Sequence, residues 1–147
     1  MENHLKLPPT QTFEQLIVWQ KAHQFVLQVY RLTEHFPQKE IYGLTSQFRR
    51  AAISVPANVA EGYKKMGRLD KIRFLNIAHG SLEECHYYLI LTRDLGYGEI
   101  SPLLSLLDET ARLLQAYSSA IRRRVLLNAS LAIVGISSLL SAALHLL

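Results

Sequence analysis

His79, Glu83 and His86 stand four and three residues apart, so on a helix the three side chains leave the same face. Glu83-x-x-His86 is half of the carboxylate and histidine pattern with which helical bundles hold paired iron or manganese ions. That chemistry needs a second Glu-x-x-His and two further carboxylates, and the chain contains no second such motif. The expectation is a polar patch, with no metal and no other cofactor. Covalent catalysis has less support still. Ser46, Ser54, Ser81 and Cys85 fall in helical stretches without a nucleophile-elbow turn, and no glycine loop is present to cradle a phosphate. These residue types and spacings point away from an enzyme.

Two other groups could act by binding. Arg50, Ser54, Asn58 and Glu61 recur at intervals of four, four and three along an otherwise apolar segment. A polar stripe in that setting either closes into a satisfied buried network or faces a subunit boundary. We expect it, together with a kink at Pro56, to set the geometry of self-assembly. Basic residues concentrate just after it, where Lys64, Lys65, Arg68, Lys71 and Arg73 outnumber Asp70, and again at Arg122, Arg123 and Arg124. Repeated around an oligomer, such patches would hold a polyanion by counterion release without reading its sequence. The alternative is an ordinary solvated turn. Tyr63 is the one aromatic residue close to the first cluster, which gives stacking on unpaired bases little support.

These side chains need helices to position them, and the sequence supplies helices almost throughout. Its 147 residues, 49% apolar and 19% charged, are enough for one domain with a real core. Residues 1–11, with Pro8 and Pro9 and no hydrophobic period, read as a loose arm. A net charge of +4 permits nucleic acid or acidic lipid as a partner without demanding either. A single cysteine excludes an intrachain disulfide, and the absence of a charged start followed by an apolar run predicts a cytoplasmic chain.

The first helix is expected from Thr12 to about His35, with Thr12 and Gln15 as a capping box and Val18, Trp19, Ala22, Phe25, Val26, Val29 and Leu32 on adjoining apolar stripes. Phe36-Pro37 ends it. The second opens near Gly43 to Thr45, buries Phe48, Ala51, Ala52, Val55 and Val59, and ends at Gly62, with a kink or a restart where Pro56 removes an amide donor. The third spans Asp70 to Gly96 with Ile72, Leu75, Ala78, Leu82, Cys85, Leu89 and Thr92 inward. Gly80-Ser81 within it suggests a close backbone approach there. Ser101 as cap and Pro102 at the first helical position open the fourth, with Leu103, Leu106, Leu107, Thr110, Leu113, Leu114, Tyr117 and Ile121 on its core face. The fold class is all-α, an antiparallel up-down-up-down four-helix bundle over residues 12–124.

Residues 125–147 carry no formal charge and follow the three arginines directly. As a helix they would reach about 35 Å at about 1.5 Å per residue, enough to cross a bilayer core of about 30 Å, with the arginines holding the bundle on the cytoplasmic side. They read equally as a weakly amphipathic extension of the fourth helix, because Ser130, Ser137, Ser138, Ser141 and His145 gather on one side.

Four stretches stand together: Phe13 to Ala22 (FEQLIVWQKA), Phe36 to Thr45 (FPQKEIYGLT), Gln47 to Gly62 (QFRRAAISVPANVAEG) and Ile77 to Glu84 (IAHGSLEE). In order and spacing they resemble the four helix bundle protein family, also called ribosomal-RNA intervening-sequence proteins, over roughly Thr12 to Arg124. The resemblance implies a short bacterial bundle that assembles as a ring-shaped homopentamer, with no established enzymatic activity. By shape alone that family is similar to accessory proteins that bind reverse transcriptase, basic pentamers that touch nucleic acid. The apolar tail departs from the family pattern. The resulting expectation is a non-enzymatic, homo-oligomeric interaction protein that contacts RNA, DNA or a nucleic-acid-handling enzyme. The alternative is a scaffold tethered to a membrane through residues 125–147.

Overall fold

The computed structural model describes residues 10–144, and side chains as far as Leu127 together with Ser130. The loose-arm expectation for the first nine residues falls outside the described part. Four α-helices follow in order: α1 (Ile17–Thr33), α2 (Ser46–Lys64), α3 (Arg68–Asp94) and α4 (Ser101–Leu144). Among the described residues there is no strand. Each helix packs on its chain neighbours and α4 returns to α1, with α2 against α3 the most extensive pair. Contacts between neighbours run in opposite residue order. Thr33 meets Arg49 while Thr10 meets Tyr63, and Ser54 meets Ser81 while Gly62 meets Phe74.

The core follows the apolar period. Phe25, Val29, Phe48, Val55, Val59, Leu75, Leu82, Leu89 and Leu114 are fully or almost fully buried, each such side chain contributing about 1.5–3 kcal/mol relative to exposure. Three threonines join them because each hydroxyl donates back to a carbonyl four residues earlier: Thr33 to Val29, Thr92 to Tyr88 and Thr110 to Leu106, at 2.7–2.8 Å.

The helix ends differ from expectation in instructive ways. Thr12 makes no side-chain cap. The chain forms a short 3-10 turn at Phe13–Gln15, leaves helical geometry at Leu16 and places that side chain in the core, so α1 begins at Ile17. Gln15 does reach back, but its Oε1 accepts from the Gln11 amide. A 3-10 turn at Gln38–Glu40 and a wide turn at Ile41–Thr45 precede α2. The Glu40 carboxylate holds that wide turn, accepting from the Leu44 amide at 3.1 Å and from the Tyr97 hydroxyl at 3.1 Å. α2 then runs unbroken through Pro56 to Lys64 without restarting at Asn58.

α3 closes as a Schellman motif: Gly96 takes φ +69°, its amide donates to Arg93 O, and the Tyr97 amide donates to Thr92 O at 2.9 Å. Gly80 is not a point of close approach, since nothing would lie within 4 Å of a Cβ there. Gly62 is that point, because its Cβ would stand 3.1 Å from Phe74 Cβ.

α4 reverses the expected roles at its start. Ser101 is not the acceptor; its amide and its hydroxyl both donate to Glu99 Oε1. The Ser101 hydroxyl first, and its amide next, hold the Glu99 carboxyl below the usual carboxylate range. A carboxylate with a depressed folded-state pKa stabilises above its ordinary value of 4.5 and loses that contribution as the pH falls. Glu99→Gln should therefore lower the melting temperature at pH 7, with the gap to the unaltered chain closing as the pH falls below 4.5, as read by circular dichroism. At its far end α4 continues to Leu144 as one helix of 44 residues. Among the described residues no helix is long and apolar enough to cross a membrane. The anchor expectation rests on side chains beyond Leu127, outside those described apart from Ser130.

Candidate nucleic-acid interface

The polar stripe divides on folding. Ser81 of α3 donates its hydroxyl to Ser54 Oγ at 2.8 Å, and Asn58 Nδ2 donates to the Ser54 carbonyl and hydroxyl at 2.8 and 3.0 Å. Ser54 and Asn58 thus close a network along the α2 and α3 seam. Arg50 stays exposed and binds Gln47, Glu61 pairs with Lys65 at 3.2 Å, and Pro56 is buried.

The candidate metal and nucleophile residues are not drawn into a site. Among the described residues no three acidic, histidine or cysteine groups converge on a point that could hold a metal ion. His86 Nδ1 lies 4.0 Å from Glu83 Oε2, whereas His79 turns inward with Nε2 buried. Burial first, and Arg122 second, hold His79 below the usual histidine range against the opposing pull of Glu83. The Ser46 hydroxyl donates to Gly43 O. Cys85 is fully buried, and burial chiefly, with Glu84 beside it, pushes its thiol far up, which suppresses the reactive thiolate.

The basic residues are drawn together. Only Lys65, Met66 and Gly67 separate α2 from α3, and the bare Cα of Gly62 lets the two helices meet closely just before that link. Lys71, in the first turns of α3, reaches back over the junction and donates to the carbonyls of Tyr63 at 2.6 Å and Gly62 at 3.4 Å. It caps the carboxyl end of α2, where a cation is favoured by the helix dipole. Partial burial lowers the Lys71 ammonium from its ordinary value. Lys65 and Arg73 lie over the Phe74 ring at 4.7 and 5.1 Å, while Lys64 faces solvent.

α4 brings the second cluster to the same end. Arg122 donates to Asn76 Oδ1 of α3 at 3.0 Å, and Arg123 is exposed. Arg124 lines a cleft of about 330 Å³ with Arg68 and Lys71, where Tyr63 and Tyr117 supply aromatic wall. The Tyr63 hydroxyl donates to Thr10 O at 2.6 Å, fixing that ring. Burial, and then Tyr63, raise the Tyr117 phenol above its ordinary value. Across residues 61–73 and 122–124 eight lysines and arginines stand against Glu61 and Asp70 alone. Sequence distance hid Tyr117, which is 54 positions from Tyr63; its place on the inward face of the fourth helix was visible, but not what it would meet.

A larger opening of about 590 Å³ lies at the other end, between α1 and the wide turn before α2. Its cation, Arg49, is engaged by Thr33 Oγ1 at 2.7 Å and stacks 4.5 Å from the centre of the Tyr30 ring. Arg49 ties α1 to α2 there.

No curated protein matches the chain. Among solved structures it is similar to a Bacteroides thetaiotaomicron protein of unknown function from the S23 ribosomal protein family, with a TM-score of 0.63 at 24% identity over 70% of this chain and 96% of that one. At that identity the likeness bears on the fold alone. The family model of 23S rRNA-intervening sequence proteins matches residues 14–118, which take in α1, α2, α3 and the first part of α4. The chain belongs to the 23S rRNA-intervening sequence protein family.

Proposed function

We propose that this chain is a non-catalytic, self-assembling helical bundle that binds RNA at its basic end. The observation that carries this reading is the convergence of Arg68, Lys71 and Arg124 on one cleft, with Lys64, Lys65, Arg73, Arg122 and Arg123 at the same end of the bundle. Guanidinium and ammonium groups so grouped suit the phosphates of a nucleic acid chain, and their effect adds when copies of the bundle are joined. Self-assembly is supported by apolar side chains that the single chain leaves in water, Ile53 on α2 and Ile77 on α3 among them, both more than 40% exposed. The assembly would be a ring of five, and light scattering of the full chain tests its mass.

Binding rests on counterion release, so affinity for a single-stranded RNA should fall steeply between about 50 and 200 mM salt. Replacing Arg68, Lys71 and Arg124 together by glutamine should reduce the slope of log K against log salt by about 2, at roughly 0.7 for each phosphate no longer neutralised. Binding that is indifferent to salt, or a triple variant with the original slope, would refute the proposal.

A further inference from the structure

The basic cleft does not end at Tyr117. A second cleft of about 300 Å³ adjoins it and shares Thr10, Leu16 and Tyr117, but its remaining walls, Ile17, Val18 and Leu113 with Gln15 at the edge, carry no charge. The two halves therefore differ in kind: three cations on one side of Tyr117, aliphatic side chains on the other. A duplex offers such a surface phosphates, 2′-hydroxyls and base edges but no base face along its length, because its bases are stacked inside. An unpaired nucleotide offers both parts at once, an anionic phosphate joined to a flat base whose faces are apolar.

We infer that this double cleft is a subsite for one unpaired nucleotide of RNA, with the phosphate held between Arg68, Lys71 and Arg124 and the base laid against Tyr117 in the uncharged half. The inference rests on the RNA-binding reading and narrows it to single strands. Lys71 keeps a third N–H beyond the two it gives to Tyr63 and Gly62, so it can donate to a phosphate without releasing the end of α2. Tyr63, tethered to Thr10, forms a fixed wall on the basic side. Each half is near the lower end of the roughly 300–1,000 Å³ of small-ligand pockets, which leaves room for one part of a nucleotide, the phosphate in one half and the base in the other.

The test compares a fluorescent twelve-nucleotide single-stranded RNA with a blunt twelve-base-pair RNA duplex, using the full chain, Tyr117→Leu and Tyr117→Phe. Leucine keeps apolar volume in the cleft and removes the ring; phenylalanine keeps the ring. The single strand should bind more tightly than the duplex at equal salt. Tyr117→Leu should weaken the single strand by about 5- to 150-fold, the worth of one base stacked on an aromatic ring, while the duplex affinity and both salt slopes stay as they were. Tyr117→Phe should retain most of the single-strand affinity. Equal binding of strand and duplex, or an unchanged Tyr117→Leu, overturns the nucleotide subsite and leaves salt-driven RNA binding standing. Failure of both RNAs to bind at low salt overturns the two together.

Discussion

Truncating Phe48 to alanine is expected to cost about 3–5 kcal/mol of folding stability, read as a lower midpoint in urea with an unchanged slope. Phe48 is completely buried in α2, and its ring meets that of Tyr88 on α3 at 5.7 Å with a 52° tilt. Removing it forfeits both the apolar transfer and the ring pairing, and leaves a hole that close-packed helices fill only partly. Phe48 lies toward the start of α2, away from the basic cleft at its end. The folded fraction of the variant should therefore bind RNA as the unaltered chain does, which separates loss of fold from loss of site.

Gly62→Val should damage both. The glycine is buried, and an added Cβ would stand 3.1 Å from Phe74 Cβ and 3.4 Å from Lys71 O. Valine adds two further methyl groups there, and overpacking of this kind costs about 1–3 kcal/mol. The strain falls on the backbone of Lys71, one of the three cations of the cleft, so RNA affinity should drop beyond what the stability loss explains. Gly80→Ala supplies the contrast. With open space around that position, the substitution should raise stability by up to about 1 kcal/mol through helix propensity and leave binding as it was.

These two glycines show what the sequence could and could not convey. Gly80 interrupts a helical pattern and residue type favoured it as the place of close approach, whereas Gly62 read as the end of the second helix, which in fact runs on to Lys64. Which glycine faces another backbone depends on how α2 and α3 are rotated against each other, a property of packing rather than of either segment. Where the signal was periodic, it carried through: Phe48, Ala52, Val55 and Val59 are buried as their spacing required. Gly96 ends α3 because only the left-handed region closes the last turn, a constraint local enough to read directly.

The fourth helix opens at Ser101 as expected, but the capping roles given to Thr12 and Ser101 failed for a related reason. Thr12 and Ser101 are the residue types that cap helices, yet Leu16 is drawn into the core after Thr12, and Glu99 offers a charged acceptor ahead of Ser101. Of the candidate interface, the cations were legible because charge clusters along the chain. The aromatic wall was not, because Tyr117 stands beside Tyr63 only after α4 has returned to the junction of α2 and α3. Nor did composition suggest that Lys65 and Arg73 would direct part of their charge onto the Phe74 ring.

The position of Cys85 makes the molecule its own tracer. With its sulfur enclosed and the thiol held protonated by its surroundings, alkylating reagents selective for thiols reach it only when α3 draws away from its neighbours. Covalent tagging at this single thiol therefore counts excursions of the interior, and leaves out the fraying of the surface.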